Sequence, residues 1–314
     1  MRSPRGSVPA VVLRALVSLV VTAPVVFFAV ETLPGDAGSA SVRTSSSAVV
    51  AAQRRHLGLD RPVLERFADW LGGLWTGRLG ATTDTGVPVA QLLSAPLQTT
   101  LVLAVAALVP AIVVGVAAGV GAGVQAGSRS DRVLSSTAAS VMAAPEFVVA
   151  IGLLVVLSRW TGLLPPVSLF PAGSSPLSEP SLVVLPAATL AVVAAAPLFR
   201  YTRAVVAAEN TRDHVEAARL AGLPETRVIW RHLLPGAAAP ITQACASLTP
   251  YVVGGTIVTE QVFGYPGIGA LLVTRIAARD TTSVATITMI LALIVATAFC
   301  AADLLGRRTS GPAR

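Results

Sequence analysis

Lysine is absent from the 314 residues, and all 23 basic positions are arginine. A nucleotide-binding P-loop needs a lysine to reach the β- and γ-phosphates. Any ATP hydrolysis that drives this chain therefore belongs to another polypeptide. Charge of both signs is scarce, at 12% of residues, where a soluble domain carries about a quarter. Histidine is rarer still, and His56, His214 and His232 lie far apart in sequence. No His/Cys group has the spacing of a zinc site, and no G-x-S-x-G nucleophile elbow occurs. No catalytic constellation, cofactor or metal is expected. The two cysteines, Cys245 and Cys300, both fall in apolar runs. They read as small buried apolar residues rather than as a disulfide framework.

What is present is apolar length. The chain is 54% hydrophobic, with a mean hydropathy of +0.73. Length alone suggests about two domains, but this composition indicates an integral membrane protein. A membrane-crossing helix needs roughly 20 apolar residues. Six segments qualify: Val11–Val30, Leu97–Val124, Val133–Leu157, Ser181–Phe199, Ala237–Val262 and Ser283–Leu305. Pro186 and Pro197 interrupt the fourth, making it the weakest, although membrane helices tolerate proline when neighbours satisfy the freed carbonyls. A secretory signal peptide is the rival reading of the first, from Arg2 and Arg5 followed by Ala15–Val30. No small-x-small cleavage site directly follows that run, which favours a span.

Arginine placement predicts the orientation. With the N-terminus in the cytoplasm, fourteen arginines are inside: Arg2, Arg5, Arg14, Arg129, Arg132, Arg200, Arg203, Arg212, Arg219, Arg227, Arg231, Arg307, Arg308 and Arg314. The short outer loops hold only Arg159, Arg275 and Arg279. Six more lie in the outer segment 31–96, but segments beyond about 60 residues largely escape the positive-inside rule. The expected protein is multi-pass in the cytoplasmic membrane, with both termini cytoplasmic. The net charge of +7 then reflects membrane topology rather than nucleic-acid binding.

Small residues recur every fourth position at Gly115, Gly119 and Gly123, and again at Ala187, Ala191 and Ala195. That spacing lets helix backbones approach closely in lipid. Packing within one chain is the preferred reading over a dimer seam. Ser39–Ser47 is rich in Ser and Thr and reads as loop.

The cytoplasmic stretch "HVEAARLAGLPETRVIWRHLLP", His214 to Pro235, reads as two short helices. Asp213 suits a helix start with Glu216 three residues on. Gly222 suits a left-handed stop, and Pro224 forbids continuation. Glu225 opens the second helix, Arg231 and His232 favour its C-terminal end, and Pro235 suits entry to the fifth span. Arg212, Glu216 and Arg219 share one face of the first helix, beside a flat surface of Ala217, Ala218 and Ala221. Such a helix can lie in a groove of a partner. Equally, Glu216 can simply pair with the two arginines.

A resemblance separates these readings. "EAARLAG", Glu216 to Gly222, is similar to the E-A-A-x-x-x-G signature of membrane subunits of binding-protein-dependent ABC importers. "EQVFGYPGIGALL", Glu260 to Leu272, resembles the dipeptide/oligopeptide/nickel permease family. So do "LPGD", Leu33 to Asp36, and "HLGLDRPVLERFADWLGGLWTGRLG", His56 to Gly80, in that family's first outer loop. The match runs in order over nearly the whole chain. It departs in three places. Many first-type permeases of the family have a basic residue where Glu216 stands. The outer loop usually reads G-D-L-G where this chain has Gly77-Arg78-Leu79-Gly80. A serine usually follows the third-span proline where Glu146 follows Pro145.

The resemblance implies an all-α, six-span permease of the type I ABC importer fold. Residues 1–92 would hold the first helix and an extracytoplasmic loop. Residues 93–306 would form the transporting core, with a coupling loop at 206–235, and 307–314 a cytoplasmic tail. Partners implied are a second permease subunit, two cytoplasmic ATPase subunits and an extracytoplasmic substrate-binding protein. Glu216, Ala217, Ala218 and Gly222 would couple to the ATPase. Peptides are the expected cargo, with nickel or a metal chelate as alternative. A membrane scaffold or receptor is the rival from another class. Glu146, some thirteen residues into the third span, is a possible pathway residue, because a mid-membrane carboxylate should face protein or a water-filled path.

Overall fold

The structure, a computed structural model, describes residues 8–32, 55, 58–171 and 174–309, with side chains from residue 10 to residue 304. Leu33–Asp36, Ser39–Ser47 and His56 lie outside the described residues. Those described are helical, without strands, apart from an isolated bridge between Ala81 and Pro88. In chain order the helices are α1 (Val8–Glu31), α2 (Val63–Trp75), α3 (Val89–Val124), α4 (Arg129–Ala143), α5 (Glu146–Leu154), α6 (Pro180–Asn210), α7 (Asp213–Leu220), α8 (Glu225–Val228), α9 (Leu234–Phe263), α10 (Ile268–Ala277) and α11 (Thr281–Thr309).

Among the described residues α1, α3, α6 and α11 are each long and apolar enough to cross a membrane. The expected third span differs. It is not one helix over Val133–Leu157 but α4 and a second piece, α5 with its π-helical continuation Val155–Trp160, bent by 110° at their junction. Ala144 (φ −81, ψ 134) and Pro145 (φ −57, ψ 143) are both extended. Proline pushes the residue before it out of the helical region and cannot donate to the preceding turn. Counted as one broken span, the pair makes a fifth crossing. The expected fifth span is a 30-residue helix, α9, but it is not among the helices that pass on apolarity. Its Thr242, Gln243, Ser247, Thr249, Thr256, Thr259 and Glu260 lower the average. The fourth span, weakest in sequence, runs unbroken through Pro186 and Pro197 as α6. Burial sustains it, because α6 is the most enclosed of the four apolar helices.

The chain divides into two compact units, 1–100 with 266–296, and 101–265 with 297–314. In the second unit α6 is central. Ala187, Leu190, Ala194 and Leu198 pack with Leu103, Ala107 and Ala111 of α3 and with Leu248 and Val252 of α9. The α3 glycines make this approach possible. A Cβ at Gly119 would lie 2.6 Å from Thr202 Cβ and 2.9 Å from the Phe199 carbonyl oxygen, and one at Gly123 would lie 2.7 Å from Val206 Cβ. The small-residue stripe therefore serves packing within the chain, as expected. An ion pair ties α4 to α6. Arg203 donates from Nε and Nη2 to the Asp131 carboxylate at 2.5 and 2.6 Å. That carboxylate also accepts from the Gly127 amide and the Ser135 hydroxyl. Such fully satisfied pairs are the form in which buried charge is tolerated.

In the first unit α1 and α2 share an aromatic cluster, against which Ala285 and Met289 of α11 pack. The Phe27 ring lies 5.3 Å from that of Phe67 and 5.4 Å from that of Trp70, within the range of favourable aromatic pairs. Trp70 Nε1 donates to Thr286 Oγ1 of α11 at 2.9 Å, which satisfies its one buried polar atom.

Candidate functional site

The loop after α6 folds back on its own helix ends. Val215 and Ala218 of α7 are buried with Val206 of α6, Val228 of α8, Leu233, and Ala237 and Ile241 of α9. Arg212 precedes α7 in extended conformation, and Asp213 is its first helical residue rather than its cap. Asp213 and Glu216 still lie in the first turn, where the helix dipole favours acid. Gly222 has φ 75, the left-handed stop that glycine adopts freely. Across this turn Arg219 reaches Glu225 at 2.7 and 3.1 Å, and Asn210 Oδ1 at 2.6 Å. The hydrogen-bonded Arg219 holds the Glu225 carboxyl below the usual range. This contribution is present above the ordinary carboxylate range and is lost as pH falls through the lowered value. The second helix does not stop where expected. From Glu225 it passes through a wider π-helical turn, Ile229–Leu233, directly into α9, with Pro235 in the first turn.

The proposed coupling residues do not all share one surface. Glu216, Ala217, Ala221 and Gly222 are exposed, whereas Ala218 is buried on the inner face of α7. The expected flat surface of Ala217, Ala218 and Ala221 is thus divided: Ala218 packs inward, because its neighbour Val215 sets the inward face one turn earlier. Nor does Glu216 close an ion pair with its neighbours. Arg219 is committed to Glu225 and Arg212 to Glu209. Among the described residues Glu216 has no ion pair within 4 Å. Two large apolar side chains of the same loop are also exposed, Leu220 at 83% and Trp230 at 74%. A tryptophan between Arg227 and Arg231 in a polar loop is the signal for this in the sequence.

Beneath the loop lies Glu209, which periodicity does not single out. It is buried, 3.1 Å from Arg212 Nε and 3.6 Å from His214 Nε2. It sits against Gly236, where a Cβ would fall 2.1 Å from Glu209 Oε1. His214 Nε2 also lies 3.2 Å from the His232 carbonyl oxygen. The loop is thereby tied to the ends of both α6 and α9.

Glu146 occupies the break in the third span, as the first residue of α5. It is not mid-helix, as the sequence suggests. Its carboxylate, half-buried, accepts a hydrogen bond from Thr259 Oγ1 of α9 at 2.6 Å. It lies over Gly255, where a Cβ would come within 3.1 Å of its oxygen. Thr256, Thr259 and Glu260 of α9 are all fully buried. The described residues hold no cluster of three His, Cys, Asp or Glu able to take a metal.

The family model "Binding-protein-dependent transport system inner membrane component" matches residues 111–311, and the corresponding N-terminal model matches residues 8–100. The chain is 30% identical over 264 residues to a glutathione transport system permease protein of Pectobacterium atrosepticum, covering 84% of each chain. A protein of Sinorhizobium fredii named "Probable peptide ABC transporter permease protein" is 31% identical over 278 residues, covering 86% of this chain and 88% of its own. A glutathione transport system permease protein of Escherichia coli is 30% identical over 84% of both chains. The bent and straight apolar helices, the loop closed by Gly222 and these matches have one meaning: the chain belongs to the family of inner membrane components of binding-protein-dependent transport systems, and is a permease subunit of an ABC importer.

Proposed function

We propose that this permease moves di- or oligopeptides across the cytoplasmic membrane, driven by ATP hydrolysis on two separate cytoplasmic subunits. A second permease and an extracytoplasmic binding protein complete the transporter. The peptide and glutathione permeases among its relatives support the cargo class. The observation that carries the coupling role is the exposure of Glu216, Ala217, Leu220, Gly222 and Trp230 in this loop, with Glu216 in no ion pair among the described residues. That surface docks on the ATPase, and Ala218 supports it from beneath. Closure of the ATPase dimer then reaches α6 and α9 through Glu209, Arg219 and Val215. Coupling requires that the surface bind the ATPase differently in the inward- and outward-facing states.

On this reading both termini are cytoplasmic and six segments cross the membrane, α9 with its polar face turned to protein. Residues 1–92 carry the first helix and outer segment, 93–306 the core with its coupling loop at 206–235, and 307–314 the tail. Orientation is tested by cysteine labelling in a background without Cys245 and Cys300. A cysteine at Ser178 should react with an impermeant thiol reagent in intact cells, and one at Thr226 should not. Reaction at 226 alone inverts the topology.

Glu146 lines the path, in this proposal, and favours cationic cargo such as a peptide amino terminus or a basic side chain. A charge within the membrane costs about 2.5–3.5 kcal/mol on insertion scales, and one bond to Thr259 offsets only part of that. In reconstituted transporter, Glu146→Gln should reduce uptake of a cationic peptide several-fold more than uptake of a neutral one of equal size. Unchanged discrimination at equal protein level would reduce Glu146 to a structural partner of Thr259.

A further inference from the structure

A cavity of about 540 Å³ opens among the end of α1, helix α2, the turn that follows it and the start of α11. Phe27 and Trp70 give it an apolar wall, and Arg66, Arg78, Thr83 and Thr281 a polar one. Its positive charges are unequal. Arg66 is paired with Glu31, and Arg61 with Asp69 at 2.8 Å. Arg78 has no ion pair among the described residues; its Nε donates to Thr76 Oγ1 at 3.0 Å. Arg66 Nε and Thr83 Oγ1 are buried without a hydrogen-bond partner among the described residues, a state that calls for an explanation in a folded protein.

Backbone geometry aims Arg78 at this place. The Arg78 amide donates to the Gly73 carbonyl at 2.8 Å, and the Gly77 amide to the Leu74 carbonyl at 3.2 Å. With Gly77 at φ 74, these two bonds are the Schellman closure of a helix C-terminus. Gly73 has to be glycine here, since a Cβ would lie 2.9 Å from the Arg78 carbonyl oxygen. The turn is then held to α11 by Thr286 Oγ1, which donates to the Leu79 carbonyl at 3.2 Å.

The cavity lies at the ends of two helices that are long and apolar enough to cross the membrane, α1 and α11. On α2, Trp75 is 84% exposed and Leu64 is 71% exposed. A short helix with bare Trp and Leu and an arginine-bearing turn fits the membrane–water interface. We infer that the cavity binds the phosphodiester of a phospholipid headgroup, with Arg78 as its counter-ion and Arg66 and Thr83 as further donors. The single negative charge of a phosphodiester matches the one lining arginine that has no ion pair among the described residues, and the Phe27–Trp70 wall accommodates the apolar remainder. The site requires that α1 and α11 cross the membrane. It does not depend on which end faces the cytoplasm or on the cargo.

The test is lipid retention. The chain is purified in detergent with the subunits that accompany it, washed, and its bound phospholipid counted by native mass spectrometry. Arg78→Gln should lower occupancy by phosphatidylglycerol about tenfold, the loss of one charge-assisted contact. Arg78→Lys should lower it less. Arg159→Gln, an exposed arginine outside the cavity, should match wild type. Because the Arg78 side chain is exposed and, among the described residues, hydrogen-bonds to Thr76, and its backbone bond to Gly73 survives substitution, its variants should keep the wild-type elution volume and helicity. Equal occupancy in wild type and Arg78→Gln overturns the site. Saturation by glycerol 3-phosphate as tightly as by phosphatidylglycerol makes it a soluble-anion site and overturns the lipid. Wild type that retains no phospholipid, leaving the cavity to an acidic protein segment, overturns it as well.

Discussion

Valine at position 222 should abolish most of the cargo-stimulated ATP hydrolysis of the assembled transporter while the protein still reaches the membrane. Gly222 stands at φ 75 with nothing within 4 Å of where a Cβ would be. The penalty is therefore one of backbone conformation, not of crowding. A left-handed conformation costs an L-residue about 1–2 kcal/mol, and a β-branched one has the least freedom to adopt it. Relaxing the turn displaces Glu225 from Arg219 and breaks the Leu223 amide bond to the Ala218 carbonyl. The exposed surface moves, while the buried Val215 and Ala218 keep the loop folded. Glu216→Ala should act at the same surface without altering the turn, and should also lower stimulation. Wild-type stimulation in both variants would remove the coupling role from this loop.

Leucine at position 119 should destabilise the second unit more than any exposed substitution does. The Gly119 Cα is so close to α6 that even a Cβ collides with Thr202 and with backbone at Phe199. Overpacking of this kind costs about 1–3 kcal/mol, and more where backbone must move. Gly121, on the same helix, has nothing within 4 Å of its Cβ position, so Gly121→Ala should leave the thermal midpoint unchanged or slightly raised, since alanine is the better helix former. A midpoint for Gly119→Leu equal to that of wild type would mean that α3 and α6 do not pack through this stripe.

Much of this was legible in the chain, because membrane helices announce themselves by length and apolarity. α1, α3, α6 and α11 follow directly from their runs. The i, i+4 spacing of Gly115, Gly119 and Gly123 foretells the contact with α6, and Gly222 with Pro224 foretells the turn. The break at Pro145 is less legible. Proline in membrane spans is often tolerated, as α6 demonstrates at Pro186 and Pro197, and nothing local distinguishes the two outcomes. Apolar averaging also hides the tertiary partners of polar residues. Asp131 with Arg203, 72 positions apart, and Glu146 with Thr259, 113 apart, are pairings that no periodicity encodes. Burial of Ala218 beside exposed Ala217 depends on where Val228 and Ala237 arrive from other helices. Side chains of identical type one position apart therefore take different roles.

The most direct measurement is ATP-driven uptake by the purified assembly. The chain is tagged, isolated from its own membrane in mild detergent, and reconstituted in liposomes with ATP on the side that exposes the α7–α8 loop. An ATPase should co-purify, and peptide should accumulate in step with ATP hydrolysis, with accumulation lost in Gly222→Val. An assembly that contains no ATPase, or that takes up no cargo with ATP present and binding protein supplied, would contradict the account.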